Sequence, residues 1–276
     1  MKKTLVAIAC FVLFGAAAFT AAEEPPFPEL EGYAADRLPE PPEGFRWTLV
    51  WHDEFDGTEL DPAHWEALET PRHEGIWSRD GFELTGDGIL KMKVFQRENG
   101  DYIDGCIRTR GKFEKAKGYF VARMKMPSQI GHWPAFWLMN SCETSVGSGS
   151  ADGAEIVIME KPFTDDHFDF AIHWDGYWEN HQLCSRLTRL DSIREGFHTF
   201  ALWWGDDAYR FFVDSTPMWE TTADGICTEP LYIKFSDEVW EHKAGDIREA
   251  KLPDETLIDY VRVYDLVPVN AETASK

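Results

Sequence analysis

The chain has 276 residues, and 49 acidic against 27 basic side chains give it a formal net charge of −22 at pH 7. A surface with this excess of negative charge repels nucleic acids and anionic membranes, and it argues mildly against highly sulfated polysaccharides. A neutral partner fits this charge better, and we expect the chain to be a monomer.

The first 22 residues have the pattern of an export signal. Lys2 and Lys3 precede an apolar run from Leu5 to Phe19, and small residues follow as far as Ala22. This run is too short to span a bilayer as a stable helix, so removal as a signal peptide fits better than a membrane anchor. The mature protein is therefore predicted to be secreted or periplasmic.

Four cysteines follow this signal, at Cys106, Cys142, Cys184 and Cys227. An oxidising compartment would allow them to form two disulfides in any of three connectivities. No two of them lie at the close spacing of a cysteine-based zinc site, so we expect none.

Beyond the signal, the chain divides into three stretches. Residues 23–44 are rich in Pro and Glu without periodicity, which predicts an extended lead-in. Residues 45–268 are predicted to form one domain, and residues 269–276 a tail. The domain contains short strand-like runs separated by turn signals such as Asp-Gly pairs. The predicted strands are Trp47–Trp51, Ile89–Val94, Tyr119–Met126, Ala135–Met139, Ile156–Met159, Phe168–Trp174, Thr199–Trp204, Tyr209–Val213, Leu231–Phe235 and Leu257–Tyr264. This pattern predicts an all-β fold, a sandwich or jelly roll.

The strongest chemical signal is a pair of glutamates at the two ends of one predicted strand, Glu155 and Glu160. Side chains alternate along a strand, so residues five apart point to opposite faces. One extra residue, a β-bulge, would return both to one face. Their carboxyl groups would then lie roughly 5–6 Å apart, near the separation of about 5–5.5 Å in retaining glycosidases. By spacing alone, two strand-end acids facing solvent are the more frequent arrangement.

The surrounding segments favour a catalytic pair over two surface acids. Trp133 and Trp137 lie upstream at positions expected on one face of a strand, as a platform for sugar rings requires. Five further segments are distinctive in their sequence and in their order along the chain: Leu49–Gly57, Gly118–Pro127, Ala171–Gly176, Phe197–Phe200 and Ile258–Tyr264. Together they resemble glycoside hydrolase family 16, which includes laminarinases, lichenases and agarases. The resemblance covers roughly residues 45–266.

The resemblance implies a jelly roll whose concave face is a substrate cleft. It implies that Glu155 is the nucleophile and Glu160 the acid/base. Trp133 and Trp137 match sugar-stacking positions, His173 matches a histidine beside the acid/base, and Trp174 is expected to contact substrate with it. Glu238, Trp240 and Trp178–His181 are expected on loops near the cleft. A structural calcium on the convex side of many relatives implies Asp259 and Glu54 as candidate oxygen ligands.

One position departs from the family pattern, E-x-D-x-x-E in its bulged form. Val157 occupies the place of the central Asp, which can share a hydrogen bond with the nucleophile and couple to both glutamates. Two interpretations stay open: a slow endo-acting, retaining hydrolase of a neutral β-1,3- or mixed-linkage glucan, or a carbohydrate-binding protein that does not hydrolyse. If the chain is a slow hydrolase, Val157→Asp should raise its rate of hydrolysis. We expect the side chain at position 157 to face solvent, so this substitution should cost little stability.

Overall fold

The computed structural model describes residues 37–140 and 145–269. The predicted signal, most of the lead-in, Cys142 and residues 270–276 of the tail lie outside these residues. None of the described helices is long and apolar enough to cross a membrane.

The candidate glutamates lie in an eight-stranded sheet. Its strands, in spatial order, are β14 (Gln182–Arg189), β13 (His167–Trp174), β12 (Glu155–Glu160), β11 (Ala135–Met139), β18 (Leu231–Ser236), β8 (Cys106–Arg108) and β2 (Glu66–Ala67), with β9 (Glu114–Lys115) also paired to β18. All of these pairs are antiparallel.

An eleven-stranded sheet packs behind it. Its spatial order is β17 (Thr216–Thr221), β16 (Tyr209–Val213), β15 (His198–Trp204), β10 (Gly118–Lys125), β19 (Asp254–Pro268), β6 (Leu90–Gln96), β7 (Tyr102–Asp104), β4 (Gly75–Trp77) and β3 (Thr70–Arg72). Two further strands join it: β1 (Phe45–Asp53) pairs with β19, and β5 (Phe82–Leu84) pairs with β6. Neighbouring strands are often far apart in sequence, as expected for a jelly roll.

The main core lies between the sheets and uses alternate residues of each strand. Phe136, Ile156 and Phe170 from one sheet meet Phe120 and Phe200 from the other, and all five are fully buried. Burying side chains of this size contributes about 1.5–3 kcal/mol each. The opposite face of the eight-stranded sheet, which we call the site face, is therefore free to carry other chemistry.

Regular helix is scarce in the described residues. The α-helix α1 covers Glu241–Ala244, and short 3₁₀ turns cover Arg79–Gly81 and Ile247–Glu249. All ten predicted strands are present, with ends shifted by a few residues. Nine strands were not among them: seven that have only two or three residues each, and the longer β14 and β17, whose sequences lack a clear apolar alternation.

The cysteines do not form the two disulfides that four of them would allow. Cys106 and Cys184 are free thiols, so at most one pair could be made from the other two. The buried Cys106 packs as a small apolar residue at the end of β8.

Candidate active site

A β-bulge in β12 brings the two glutamates to one face. Across β11, Val157 pairs with Trp137 but Met159 pairs with Phe136, so Ile158 is an extra residue on β12. The same irregularity appears against β13. Ile158 and Met159 both enter the main core, as does Ile156. Glu155, Val157 and Glu160 consequently share the site face, as the spacing of the glutamates required.

Burial gives Glu160 the protonation state of a general acid. The loss of solvent around this carboxyl group is the largest effect, and the negative charges of Glu155 and Asp169 add to it, raising the pKa of Glu160 to about 8. The Lys243 ammonium and the Trp133 indole partly oppose this rise. Glu160 is therefore mostly protonated at neutral pH, and an acid of this kind can donate a proton to a leaving oxygen.

Glu155 is held by groups from the next strand and the loop after it. The Tyr177 hydroxyl donates a hydrogen bond to its Oε2, and His173 Nε2 lies 3.9 Å from its Oε1. His173 stands directly opposite Glu155 in the strand pairing. It therefore lies beside the expected nucleophile, which corrects the expectation that it lies beside the acid/base.

His173 is a neutral imidazole at physiological pH. Burial, followed by the charges of His181 and Lys243, lowers its pKa to about 4. Its Nδ1 is 2.9 Å from His181 Nε2, and the two rings are nearly parallel. One ring nitrogen of this pair must donate and the other accept, so His181 fixes the orientation of His173 toward Glu155.

Val157 is buried, which the sequence did not indicate. It is 2% exposed and packs with Ala135, Trp137 and Ala171 in a small apolar patch on the site face, which we call the floor patch. The expectation that this position faces solvent is wrong. A carboxylate at position 157 would lie in apolar surroundings rather than in water.

An acid that the sequence reasoning missed lies across the strand from Glu160. Asp169 pairs with Glu160 in register, so both side chains project from the site face. Burial raises the pKa of Asp169 to about 6 against the opposing charge of Lys243, and its buried Oδ1 has no hydrogen-bond partner among the described residues. The site thus has a third carboxyl group on β13 in place of one at position 157.

The two predicted platform tryptophans play different parts. Trp137 is 8% exposed, donates from Nε1 to Ser236 Oγ and forms part of the floor patch, so little of its ring is open to a sugar. Trp133 lies just before β11, half-buried, and stacks on Trp240, which stacks in turn on His73. This aromatic stack stands next to Glu160 and contains the expected loop residue Trp240.

Trp174 does not belong to the site. Side chains alternate along β13, so the placement of His173 on the site face sends Trp174 to the other side. Trp174 is 6% exposed and packs in the main core. This corrects the expectation that it contacts substrate.

A buried polar network fixes the segment that carries Trp133. His132 bonds through Nδ1 to Asp237 and through Nε2 to Asp254. Burial alone would lower its pKa, but the two carboxylates raise it to about 9. Backbone bonds then join Trp133 to Glu238 in both directions, and the Glu238 carboxylate binds Arg72 and His73.

The proposed calcium ligands are both engaged in ion pairs. Glu54 receives two hydrogen bonds from the Arg262 guanidinium, and Asp259 pairs with Arg123. Residues 37–140 and 145–269 contain no group of three or more His, Cys, Asp or Glu placed to hold a metal ion. Each arginine would compete with a cation for its carboxylate, so these two acids fit a calcium site poorly, and calcium binding by them stays a prediction.

Comparison with known proteins places this geometry in context. The model of the glycosyl hydrolases family 16 matches residues 71–262. A β-glucanase of Rhodothermus marinus is 29% identical over 246 residues, 79% of this chain and 85% of that protein. A glucan endo-1,3-β-glucosidase A1 of Niallia circulans is 25% identical over 258 residues, 78% of this chain but 37% of that protein. The crystal structure of a laminarinase from Flavobacterium sp. UMI-01 matches with a TM-score of 0.67 and 27% identity, covering 79% of this chain and all of that one.

Proposed function

The chain belongs to glycosyl hydrolase family 16, and we propose that it is a secreted, endo-acting hydrolase of a β-glycan that retains the anomeric configuration. The observation that carries this proposal is the bulged strand β12, which presents Glu155 and a protonated Glu160 on one face. An ionisable nucleophile and a neutral acid held together are what the two-step mechanism needs.

In the first step, a Glu155 oxygen bonds to the anomeric carbon. The bond from that carbon to the glycosidic oxygen breaks, and Glu160 gives its proton to the departing oxygen. In the second step, the Glu160 carboxylate takes a proton from water, whose oxygen bonds to the anomeric carbon as the bond to Glu155 breaks. Two inversions restore the starting configuration.

Tyr177 and His173 orient the nucleophile. A hydroxyl donor on one carboxylate oxygen and a neutral imidazole near the other limit the rotation of Glu155. A hydrogen bond to the charged form of a carboxyl group also favours ionisation. We propose that these contacts supply part of what an acid at position 157 would provide, and that turnover is nevertheless reduced because Val157 cannot couple to both glutamates.

The names of the relatives support the substrate class and the position of cleavage. The Rhodothermus relative is a β-glucanase and the Niallia relative an endo-1,3-β-glucosidase acting on glucan. A β-1,3- or mixed-linkage glucan backbone, cut internally, is therefore the first candidate. The half-buried Trp133 stack supports binding of a sugar ring face.

The test is release of reducing ends from laminarin, lichenan, agarose and xylan. We expect measurable release from a β-glucan, loss of it in Glu155→Gln and Glu160→Gln, and no loss in the control Glu83→Gln, whose residue pairs with Lys93 on the other sheet. Glycan binding without release in the wild-type protein would instead establish the non-hydrolytic carbohydrate-binding function. Activity that survives in both glutamine variants would contradict the assignment of the pair.

A further inference from the structure

Lys234 lies on the floor of the site face, two strands away from the glutamates. It belongs to β18 and pairs with Trp137, which pairs in turn with Val157 on β12. Its ammonium group lies 3.9 Å from the ring centroid of Trp137 and 4.7 Å from that of Trp77. The residue is 6% exposed, so two indole rings fix a lysine that is almost wholly removed from water.

Among the described residues, no acid is paired directly with Lys234. Its Nζ has neither a hydrogen bond nor an ion pair with any residue of 37–140 and 145–269, although an ammonium carries three donors. Burial lowers its pKa, with Cys106, Glu238 and Glu155 opposing. The two rings compensate part of the desolvation cost through cation–π attraction. The Nζ is not one of the fully buried polar atoms without a partner, so a small opening to solvent leaves it reachable, while most of its hydration is lost at a cost. A ligand with an anionic oxygen would remove that cost.

Other cations lie around the same half of the site face. Arg72 lies over the Trp77 ring, and Arg108 and Arg110 lie over Tyr232 on β18. Glu238 pairs with Arg72 and Glu66 with Arg108, while Arg110 has no ion pair within the described ranges. The opposite half, on β12 and β13, carries Glu155, Glu160 and Asp169. Cations therefore outnumber acids around Lys234, whereas carboxyl groups outnumber cations around Glu160, where Lys243 acts on both Glu160 and Asp169.

We propose that Lys234 binds an anionic substituent, a sulfate ester or a carboxylate, on a sugar of the glycan that occupies the cleft. This inference rests on the proposed function, because it requires a glycan on the site face. A hydroxyl group would satisfy a donor without balancing the charge, whereas an anion does both.

The negative net charge of the whole chain does not exclude a local site for an anion at Lys234. A value of −22 describes the summed surface, while a ligand in the cleft meets the local potential of the side chains around it. The prediction of a neutral partner stays for the glycan backbone, and the proposal adds a charged substituent on the sugar that lies over Lys234.

The test is calorimetric binding by the Glu160→Gln variant, which keeps the neutral state of that side chain and prevents hydrolysis. The probes are two matched pairs: a sulfated β-glycan with its desulfated form, and a uronate-bearing β-glycan with its carboxyl-reduced form.

We expect at least tenfold tighter binding of the charged member of one pair, and the responding pair identifies the substituent. The ratio of the affinity for the charged member to that for the neutral member should fall close to one in Lys234→Met. Lys234→Arg should keep most of this preference for the charged member, and the control Lys93→Met should keep all of it.

Equal affinity for the charged and neutral members of both pairs would overturn the proposal, and so would a preference that persists in Lys234→Met. If one of these results is found and the wild-type protein still hydrolyses a neutral glucan, the role of Lys234 is wrong but the proposed function stands. If the protein binds and hydrolyses none of the glycans, the proposed function has failed instead.

Discussion

Asp169 stands directly across the strand pair from Glu160, and both carboxyl groups project from the site face. Two acids in such contact do not both ionise easily, because the charge of one opposes the charge of the other. The position of this second acid on β13, rather than at residue 157, distinguishes the site from the E-x-D-x-x-E pattern. The register of β12 against β13 therefore affects the protonation state of Glu160, which can be measured.

The pH dependence of hydrolysis should report this contact. Glu160 must carry a proton, so activity should fall as pH rises through about 8, the pKa that burial, Glu155 and Asp169 give it. Asp169→Asn removes one negative charge and makes Glu160 easier to deprotonate, so the alkaline limb of kcat/KM should move to lower pH. The exposed Asp191→Asn is the control. A limb that stays in place or moves upward in Asp169→Asn would contradict the coupling.

Tyr177 should matter because it donates a hydrogen bond to the nucleophile. Removing one hydrogen bond to a charged group costs about 1.5–3 kcal/mol, so we expect Tyr177→Phe to lower kcat by about tenfold to a hundredfold. Val157→Asp should recover part of this loss in the Tyr177→Phe background, and should give a smaller gain in the wild-type background. The four proteins form a double-mutant cycle measured by kcat. Wild-type kcat in Tyr177→Phe would remove Tyr177 from the mechanism.

Val157→Asp should also be destabilising, contrary to what the sequence alone indicates. The side chain is buried against Ala135, Trp137 and Ala171, and burying a polar group without partners costs about 1–3 kcal/mol. Urea unfolding at pH 7 should show this loss, and Val157→Ala separates it from the effect of lost packing. Unchanged stability in Val157→Asp would mean that the floor patch admits water.

Trp133 should be the main aromatic contact with substrate. It is half-buried in a stack with Trp240 beside Glu160, whereas Trp137 is covered. We expect Trp133→Ala to weaken glycan binding by more than tenfold, since aromatic anchors commonly account for 2 kcal/mol or more, about thirtyfold in affinity. Phe45→Ala is the control, because that ring is exposed on β1 of the other sheet. Equal affinity in wild type and Trp133→Ala would place the sugar elsewhere.

The sequence predicted what depends on local pattern. The alternation in β10, β11 and β13 located those strands, and the glutamate spacing required the bulge at Ile158. The same alternation, applied to β13, would have sent Trp174 to the core once His173 was placed on the site face.

The remaining features depend on which strands become neighbours. Asp169 faces Glu160 only because the bulge shifts the register of β12 against β13. Lys234 reaches the site face from β18, nearly one hundred residues beyond Trp137, and its two ring contacts come from separate strands. Tyr177 reaches Glu155 from a loop whose path no periodicity predicts. Such long-range pairings are set by tertiary packing rather than by local sequence.

The central claim is that Glu155 forms a covalent bond to the sugar while Glu160 supplies the proton. Peptide mass spectrometry after incubation with a 2-deoxy-2-fluoro β-oligosaccharide carrying an activated leaving group tests it most directly, because such a substrate accumulates at the glycosyl-enzyme stage. We predict one added glycosyl group, assigned to Glu155 by the fragment ions of the labelled peptide, and none in Glu155→Gln. A protein that hydrolyses the unmodified glycan but gives no adduct, or gives one on Glu160 or Asp169, would contradict the account.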